Sequence, residues 1–296
     1  MTTRDVAAQL KVPSGPGAAA KARARRQSRL KIAVSYVLLT AVAVTMILPF
    51  TWMVFASLKP LAEVENGRWL PQVWKPGNYP EVFRQIPFAR YYFNSVFIAG
   101  WVTIAQVFTS SLAAFAFSRI PWPGRDKVFL AYLATMMIPG VVTMIPNYAL
   151  MLRLHLVDSY VGLIVPAAFS AFGTFMLRQF MLTIPASLDE AAEIDGASRS
   201  QIYWEVVLPL ARPGLITLAI FTFMGNYGSF FWPLVMIKSE HLRTLPIGML
   251  FFDSVYGRQT NLLMAASVMN IVPLIILFVV LQRFLVEGIQ LGAVKG

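Results

Sequence analysis

SLDEAAEIDGASRSQIYWEVVLPLARP, residues 187–213, is charged, aromatic and dense in helix signals, yet it lies between two long apolar stretches. Ser187-Leu188-Asp189-Glu190 has the S-x-x-E form of a capping box, in which serine and glutamate satisfy each other's orphan backbone N–H groups. Asp189 and Glu190 also fall in a first turn, where the helix dipole favours negative charge. Gly196 can take the left-handed conformation that stops a helix. Ser198-Arg199-Ser200-Gln201 makes a second box, and Pro209 is predicted to end the second helix near Leu208. The segment therefore reads as helix, glycine elbow, helix. Each helix is too short to be stable alone in water, so tertiary contacts must hold both. Leu188, Ala191 and Ala192 share a face of the first, and Ile202, Tyr203, Val206 and Val207 form a stripe on the second. One stripe can pack back on the apolar spans, while the small Ala191 and Ala192 leave room for something else to approach. The pair is either a self-contained cap on helix ends or a docking element for a partner.

The flanks decide what kind of protein carries this segment. Of 296 residues, 57% are hydrophobic and 13% charged, where a soluble domain carries about 25% charged residues. Apolar runs alternate with short polar connectors, the pattern of a polytopic membrane protein. The net charge of +11 could suit nucleic acid, but the basic residues cluster beside the apolar runs. Membrane topology explains them without a nucleic-acid partner. There is no cysteine, so no disulfide, thiol chemistry or Cys-ligated zinc.

Residues 1–31 are rich in Ala, Gly and Pro and end in Lys21, Arg23, Arg25, Arg26, Arg29 and Lys31. Such a tail buries too little apolar surface to fold and is predicted to be disordered. The apolar run after it is too long for the core of a signal peptide and reads as an uncleaved span. With about 20 helical residues needed to cross a bilayer, six spans are expected: 32–56, 93–118, 128–152, 160–181, 214–237 and 262–285. The chain is all-α on this reading, with a membrane domain over 32–286, the polar loop at 183–213 inside it, and a short C-terminal tail at 287–296. Pro49, Pro139, Pro146, Pro166, Pro233 and Pro273 interrupt the spans. These prolines are compatible with ordinary kinks and with a bundle around a path.

Lys and Arg set the orientation. With the N-terminus in the cytoplasm, the inner connectors hold the larger share of the 25 Lys and Arg, most of the excess lying in the N-terminal tail. Both termini and the 183–213 loop are then cytoplasmic. The longest outer connector, 57–92, contains LPQVWKPGNYPEVF, with prolines and aromatics rather than helical periodicity. It is either structural filler or a surface that meets an external partner.

EAAEIDGASRSQIYWEVVLPLARPGL resembles the E-A-A-x-x-D-G-A…L-P-L…P loop of ATP-binding-cassette (ABC) importer permeases, most closely the carbohydrate-uptake, MalG-like branch with its MetI-like fold. Glu190, Ala191, Ala192, Asp195, Gly196, Ala197, Pro209 and Pro213 stand where that pattern places them. NYPEVF in the first outer connector, FFWPL in the fifth span and the C-terminal EGIQLGAVKG extend the resemblance along the chain. It implies that 187–208 is a coupling helix element seated on an ATP-binding subunit, with Glu190 facing a basic residue there and Asp195 and Gly196 shaping the elbow. Glu190 either completes its capping box, pairs across that interface, or does both. The resemblance also implies that the C-terminal segment around Gly292, Lys295 and Gly296 touches the ATPase pair. Further implied partners are a MalF-like second permease, two ATP-binding subunits holding ATP and Mg, an extracytoplasmic solute-binding protein, and the lipid of a prokaryotic cytoplasmic (inner) membrane. The solute would be a sugar, an oligosaccharide or a related polyol. The fifth span departs from the family's W-N-D/E-F-x-W-P-L: Gly228 and Ser229 replace the Asn and the acidic residue. Asn226, Tyr227 and Ser229 are still candidates to line a path, with Asn226 and Tyr227 able to hydrogen-bond a sugar hydroxyl. Helix packing through Gly225 and Gly228 explains the same stretch equally well.

No G-x-x-x-x-G-K-[ST] occurs, so this chain does not itself cradle ATP and is not read as an enzyme. His155 and His241 are isolated, which leaves no His-based metal site or triad. Ion-coupled carriers keep intramembrane carboxylates or histidines as relays; the ionisable residues nearest the spans here, Arg178 and Arg283, are terminal. An ion-coupled transporter and an intramembrane enzyme are thereby disfavoured against a permease driven by a separate ATPase.

Overall fold

The computed structural model describes residues 18–254 and 257–293. The chain divides into a unit ending at Phe55 and a unit beginning at Ala56. The first unit is the body of helix α1 (Ala18–Ser57). It opens ahead of residue 32, so part of the basic stretch expected to be disordered is helical. Its side chains from Ile32 through Leu48 are exposed and largely apolar, as suits a helix solvated by lipid. The hydroxyls of Thr45 and Thr51 donate back to the carbonyls of Ala41 (2.9 Å) and Ile47 (3.1 Å). That keeps these two hydroxyl hydrogens paired where they face hydrocarbon.

In the second unit, two short helices, α2 (Leu61–Glu65) and α3 (Asn78–Gln85), precede the long α4 (Phe88–Arg119). Helix α5 (Arg125–Ala134) and a 3-10 turn lead to α6 (Gly140–Arg153). Helix α7 (Tyr160–Ile164), with its own 3-10 turn, leads to α8 (Ala171–Met181). The polar loop carries α9 (Ser187–Ile194), α10 (Arg199–Gln201), a π-helical segment (Ile202–Val207) and α11 (Leu208–Leu210). Then come α12 (Arg212–Tyr227), α13 (Phe231–Met236), α14 (Leu245–Gly248) and α15 (Thr260–Ala293). Among the described residues the only strand pairing is the two-residue Asp253–Ser254 with Gly257–Arg258, so the fold is helical as expected.

Among the described residues three helices are long and apolar enough to span a bilayer unbroken: Lys31–Ser57, Phe88–Arg119 and Thr260–Gln282. Three bent pairs raise the number to six if each counts as one span. The expected span 128–152, which Pro139 and Pro146 interrupt, is two helices meeting at 98°. The cause is local: Pro139 has no N–H to continue the ladder and sits at the N-cap of α6. The expected span 160–181 bends by 42° beyond Pro166, and the expected span 214–237 is interrupted between Tyr227 and Phe231. Helix α4 is the axis of this unit, packed by α8 and α12, with α15 against α12 and α3.

One end of the unit is tied by buried asparagines. Asn78 donates to the carbonyls of Ser57 and Lys59, each at 2.8 Å, and accepts from Asn261 at 3.1 Å. NYPEVF is thus the start of a helix, despite lacking an obvious period, and its first residue joins three segments. Asn94, buried in α4, donates to the carbonyls of His241 (2.9 Å) and Arg243 (2.8 Å) and accepts from the Tyr160 hydroxyl at 2.7 Å. Asp158 has φ +61, a conformation that aspartate tolerates better than most residues. Its carboxylate receives the N–H groups of Lys238 and Ser239, both at 2.9 Å, and the Ser239 hydroxyl.

Two outcomes follow from these ties. Replacing Asn78 with Ala withdraws the donor from two buried carbonyls, at about 1–3 kcal/mol for each stranded group, and should lower the melting temperature of the detergent-solubilised protein. The Asp158 carboxyl is held below the ordinary aspartate range, first by the Ser239 hydroxyl and then by the Ser239 and Lys238 N–H groups and the His241 charge, with desolvation opposing. A depressed folded-state pKa gives stability that is present above the unfolded value of about 3.9 and is lost only as pH falls through the folded value. Hydrogen exchange of the Lys238 and Ser239 amides should therefore stay slow at pH 4 and accelerate below it, and Asp158→Asn should remove that pH step.

Candidate functional site

At the other end of this unit, α9 and the Arg199–Leu210 stretch form the predicted elbow. Gly196 has φ +84, a backbone state that side-chain-bearing residues rarely take. The second capping box is present: the Ser198 hydroxyl accepts the Gln201 N–H at 3.3 Å, and the Gln201 side chain accepts the Ser198 N–H at 2.8 Å. The first box is absent. Ala186 rather than Ser187 occupies the N-cap, with no side-chain cap bond, and the Glu190 N–H is already taken by the Ala186 carbonyl at 3.1 Å. Ser187 lies one residue inside the helix, out of position to cap it.

The apolar stripe on the second helix is seated as its spacing predicts. Ile202, Tyr203 and Val207 are buried among Ala114 and Phe115 of α4, Leu177 and Met181 of α8, and Leu218 of α12, while Val206 is half-buried. The Tyr203 hydroxyl meets that of Ser111 at 2.7 Å. Pro209 does not end this helix, which runs to Leu210 before turning 74° into α12. A proline ring clashes with the carbonyl four residues back; the π-helical widening over Ile202–Val207 contains that position, Glu205.

The first helix is held by a contact that no local pattern announces. Arg119, the last residue of α4, pairs with Asp189 at 3.1 Å, both side chains nearly buried. The same guanidinium donates to the carbonyls of Met181 (2.6 Å) and Ile184 (2.7 Å), so it also closes the C-terminal end of α8. One cation thus joins α4, α8 and α9. Arg178 adds a second link: it donates to the Phe117 carbonyl (3.1 Å), pairs with Asp126 (3.2 Å), and lies 4.2 Å from the centre of the Phe129 ring. Sequence reasoning missed Arg119 because it counted only as a basic connector residue.

Seen from solvent, the first helix offers a mixed acidic and apolar face. Glu190, Ala191 and Asp195 are exposed, Ala192 and Ala197 are partly buried against the core, and Ile194 is 87% exposed. Leu188 is also exposed. Glu193 pairs with Arg199 across the elbow. Gly292 lies in α15; Lys295 and Gly296 lie outside the described residues.

The path candidates separate. Tyr227 is buried, stacks on Phe223 with ring centres 5.7 Å apart, and donates to the Asn270 carbonyl of α15 at 3.1 Å. It serves helix packing. Asn226 and Ser229 instead line a cavity of about 220 Å³ with Ser95, Asn147, Trp232 and Thr244. Among the described residues no group of three or more His, Asp or Glu side chains could hold a metal ion.

A bundle of broken membrane helices with an exposed two-helix elbow locked to three of them has the build of a transport permease. Residues 106–290 match the family described as binding-protein-dependent transport system inner membrane component, and the chain belongs to it: it is a permease subunit of the ABC-importer type, whose ATPase is a separate subunit. It is 34% identical over 260 residues to the arabinooligosaccharides transport system permease protein AraQ of Halalkalibacterium halodurans, covering 86% of this chain and 93% of the relative. It is 33% identical over 252 residues to the sulfoquinovosyl glycerol transport system permease protein SmoH of Agrobacterium fabrum, covering 84% and 88%. Among solved structures, a chain of a bacterial ABC transporter involved in import of the acidic polysaccharide alginate superposes with a TM-score of 0.77. That match has 27% identity and covers 87% of this chain and 97% of the other.

Truncating Arg119 to Ala should leave Asp189 buried without its counter-charge, at about 3–5 kcal/mol for a broken buried pair. Hydrogen exchange over 187–194 should accelerate, with Arg119→Lys intermediate because one ammonium nitrogen lacks the guanidinium's donors spread over separate nitrogens. The double apolar variant Arg119→Met with Asp189→Leu should recover part of the loss.

Proposed function

We propose that this chain forms one half of the membrane path of a carbohydrate importer and that the elbow at 187–208 couples it to an ATP-binding subunit. The single observation that carries this reading is the division of the loop into an inward half, fixed by Arg119 and the Ile202–Val207 stripe, and an outward half that presents Glu190, Ala191, Asp195 and Ile194. A surface with an exposed isoleucine between carboxylates suits a partner cleft with an apolar floor and a basic rim. The elbow lies at the cytoplasmic end, both termini are cytoplasmic, and the asparagine-tied end faces outward toward a solute-binding protein. A MalF-like permease supplies the other half of the path. Two ATP-binding subunits hold ATP and Mg, and the tail with Gly292, Lys295 and Gly296 rests on them.

Closure of the ATPase pair around nucleotide displaces α9. Arg119 passes that displacement to α4 and α8, and the 74° turn after Leu210 passes it to α12. Rocking of these helices opens the path alternately to the two sides. An oligosaccharide or related polyol as solute is supported by the names of the similar permeases and of the alginate transporter.

Glu190→Lys reverses the charge of the exposed face without touching the buried Asp189 pair. Gly196→Pro forbids the φ of +84 at the elbow. In the reconstituted transporter both should cut ATP-driven uptake more than about tenfold, equivalent to about 1.4 kcal/mol of lost coupling, while ATP hydrolysis continues. Uptake at the wild-type rate in both variants would refute the assignment.

A further inference from the structure

The cavity beside Asn226 carries a second, more specific reading. It lies between the first half of α4, α6, the 3-10 turn after α7, and the α12–α13 break, and Thr244 closes it toward the connector that leads to α14. Thr244 is 4% exposed, and its hydroxyl has no partner among the described residues. It stands at the N-cap of α14, where a threonine ordinarily accepts a backbone N–H, yet it makes no cap bond. Ser95 accepts the Leu245 N–H at 2.8 Å, which leaves its own proton to donate. Asn226 spends its amide N–H on the Thr222 carbonyl at 2.8 Å and keeps its oxygen. Asn147 and Ser229 reach the same space. An apolar cavity in a bundle stays dry, whereas one ringed by unspent donors and acceptors holds a polar guest.

Four properties define the guest. The lining supplies neutral donors and acceptors of both kinds, which is what a hydroxyl-rich solute requires. Among the described residues no ionisable side chain lines the cavity, so a carboxylate or phosphate entering it would be desolvated with no counter-charge. Trp232, Pro166 and Leu163 give it apolar walls for C–H faces, and the Trp232 indole N–H is fixed on the Gly162 carbonyl at 3.3 Å. The volume of about 220 Å³ falls below the roughly 300–1,000 Å³ of sites that enclose drug-sized ligands. It fits a single sugar ring rather than a chain.

We propose that this cavity is a solute subsite for one uncharged sugar ring, and that it makes this permease selective for neutral over anionic carbohydrates. The proposal rests on the import function argued above. It separates this chain from permeases whose solutes carry a permanent negative charge along the path.

The test uses the complete transporter in liposomes with its own companion permease, ATP-binding subunits and solute-binding protein. Uptake is followed for radiolabelled neutral pentose and hexose mono- and disaccharides, and for galacturonate and glycerol 3-phosphate. The wild-type complex should take up a neutral sugar and neither anion. Thr244→Val and Asn226→Leu should each raise KM for that sugar about tenfold, the size of one lost solute hydrogen bond. Thr244→Ser should restore it, and binding-protein-stimulated ATP hydrolysis should persist throughout. As a second readout, Ser229→Cys adds the one thiol to a chain that has none; the transported neutral sugar should slow its alkylation by a small uncharged maleimide. An unchanged KM in both variants, absence of protection at Ser229→Cys, or uptake of an anion in place of neutral sugars would overturn the subsite. No ATP-dependent uptake of any solute by the wild-type complex would overturn the import function itself, and the subsite with it.

Discussion

A single guanidinium holds the working end of this protein together. Arg119 gives up its water to sit between the Asp189 carboxylate and the carbonyls of Met181 and Ile184. Each acceptor is well suited to a cation. Asp189 carries a full negative charge, and the carbonyls belong to the frayed C-terminal end of α8, where the helix dipole is negative. The arrangement gives the Ile184 carbonyl a donor as α8 gives way to the loop and adds a second donor to the Met181 carbonyl, which also accepts the Ile184 N–H at 3.2 Å. Because one side chain makes all three contacts, α9 cannot shift while α4 and α8 stay still unless the contacts break. The Tyr203–Ser111 bond and the Ile202–Val207 stripe impose the same condition on the second half of the elbow. The proposed coupling role needs this: a lever transmits displacement only if its attachment is stiffer than the bundle it moves.

The bundle itself is made compliant by its breaks. A helix in lipid satisfies its own backbone, and an interruption strands N–H and C=O groups that lipid cannot solvate. This chain accepts interruptions beyond Ile138, beyond Ala168, at Ala211 and beyond Tyr227, and at the one beyond Ala168 a side chain meets a freed group. Ser170 accepts the Gly173 N–H at 3.0 Å where α8 restarts, and Ser159 does the same for Gly162 at 3.1 Å where α7 starts. The asparagine-tied end is built differently. Asn78 and Asn94 each gather two carbonyls and one further partner, which fixes connectors to helices. The second unit therefore has two ends tied by polar contacts and joined by broken helices, and its polar cavity runs from the α12–α13 break to Ser95 and Thr244 beside the asparagine-tied end.

Much of this was legible in the sequence, for physical reasons that vary by residue. Local rules worked where the determinant is local: Gly196 at positive φ, the Ser198–Gln201 box, the stripe from Ile202 to Val207. They failed where two local rules competed. The S-x-x-E at Ser187 lost to a helix start one residue earlier, after which the Glu190 N–H was already bonded. Pro209 was read as a terminator, but a proline can be absorbed when the preceding turn widens, and composition does not report that option. Tyr227 looked like a path residue because a hydroxyl in a membrane helix needs a partner; the partner is a backbone carbonyl on α15, far along the chain. Arg119 and Asp189 are likewise distant in sequence, and neither sits in a pattern that predicts the other. Asn226 and Ser229 share the cavity with Thr244 only because α12 breaks where it does.

The adjacent carboxylates Asp189 and Glu190 show how one short motif divides two tasks. Successive residues on a helix point about 100° apart, so neighbours cannot serve the same surface. Asp189 turns inward and is consumed by Arg119; Glu190 turns outward and remains in solvent. A two-turn helix has no stability of its own to spare, so it can offer a face to a partner only if another residue secures it from behind. Had both acids faced outward, the helix would present more charge and hold no fixed position. Had both faced inward, one would be buried without a counter-ion. In the proposed coupling role, the order acid-acid-Ala-Ala at the start of α9 supplies an anchor, an outward carboxylate for the partner, and two side chains small enough not to obstruct either.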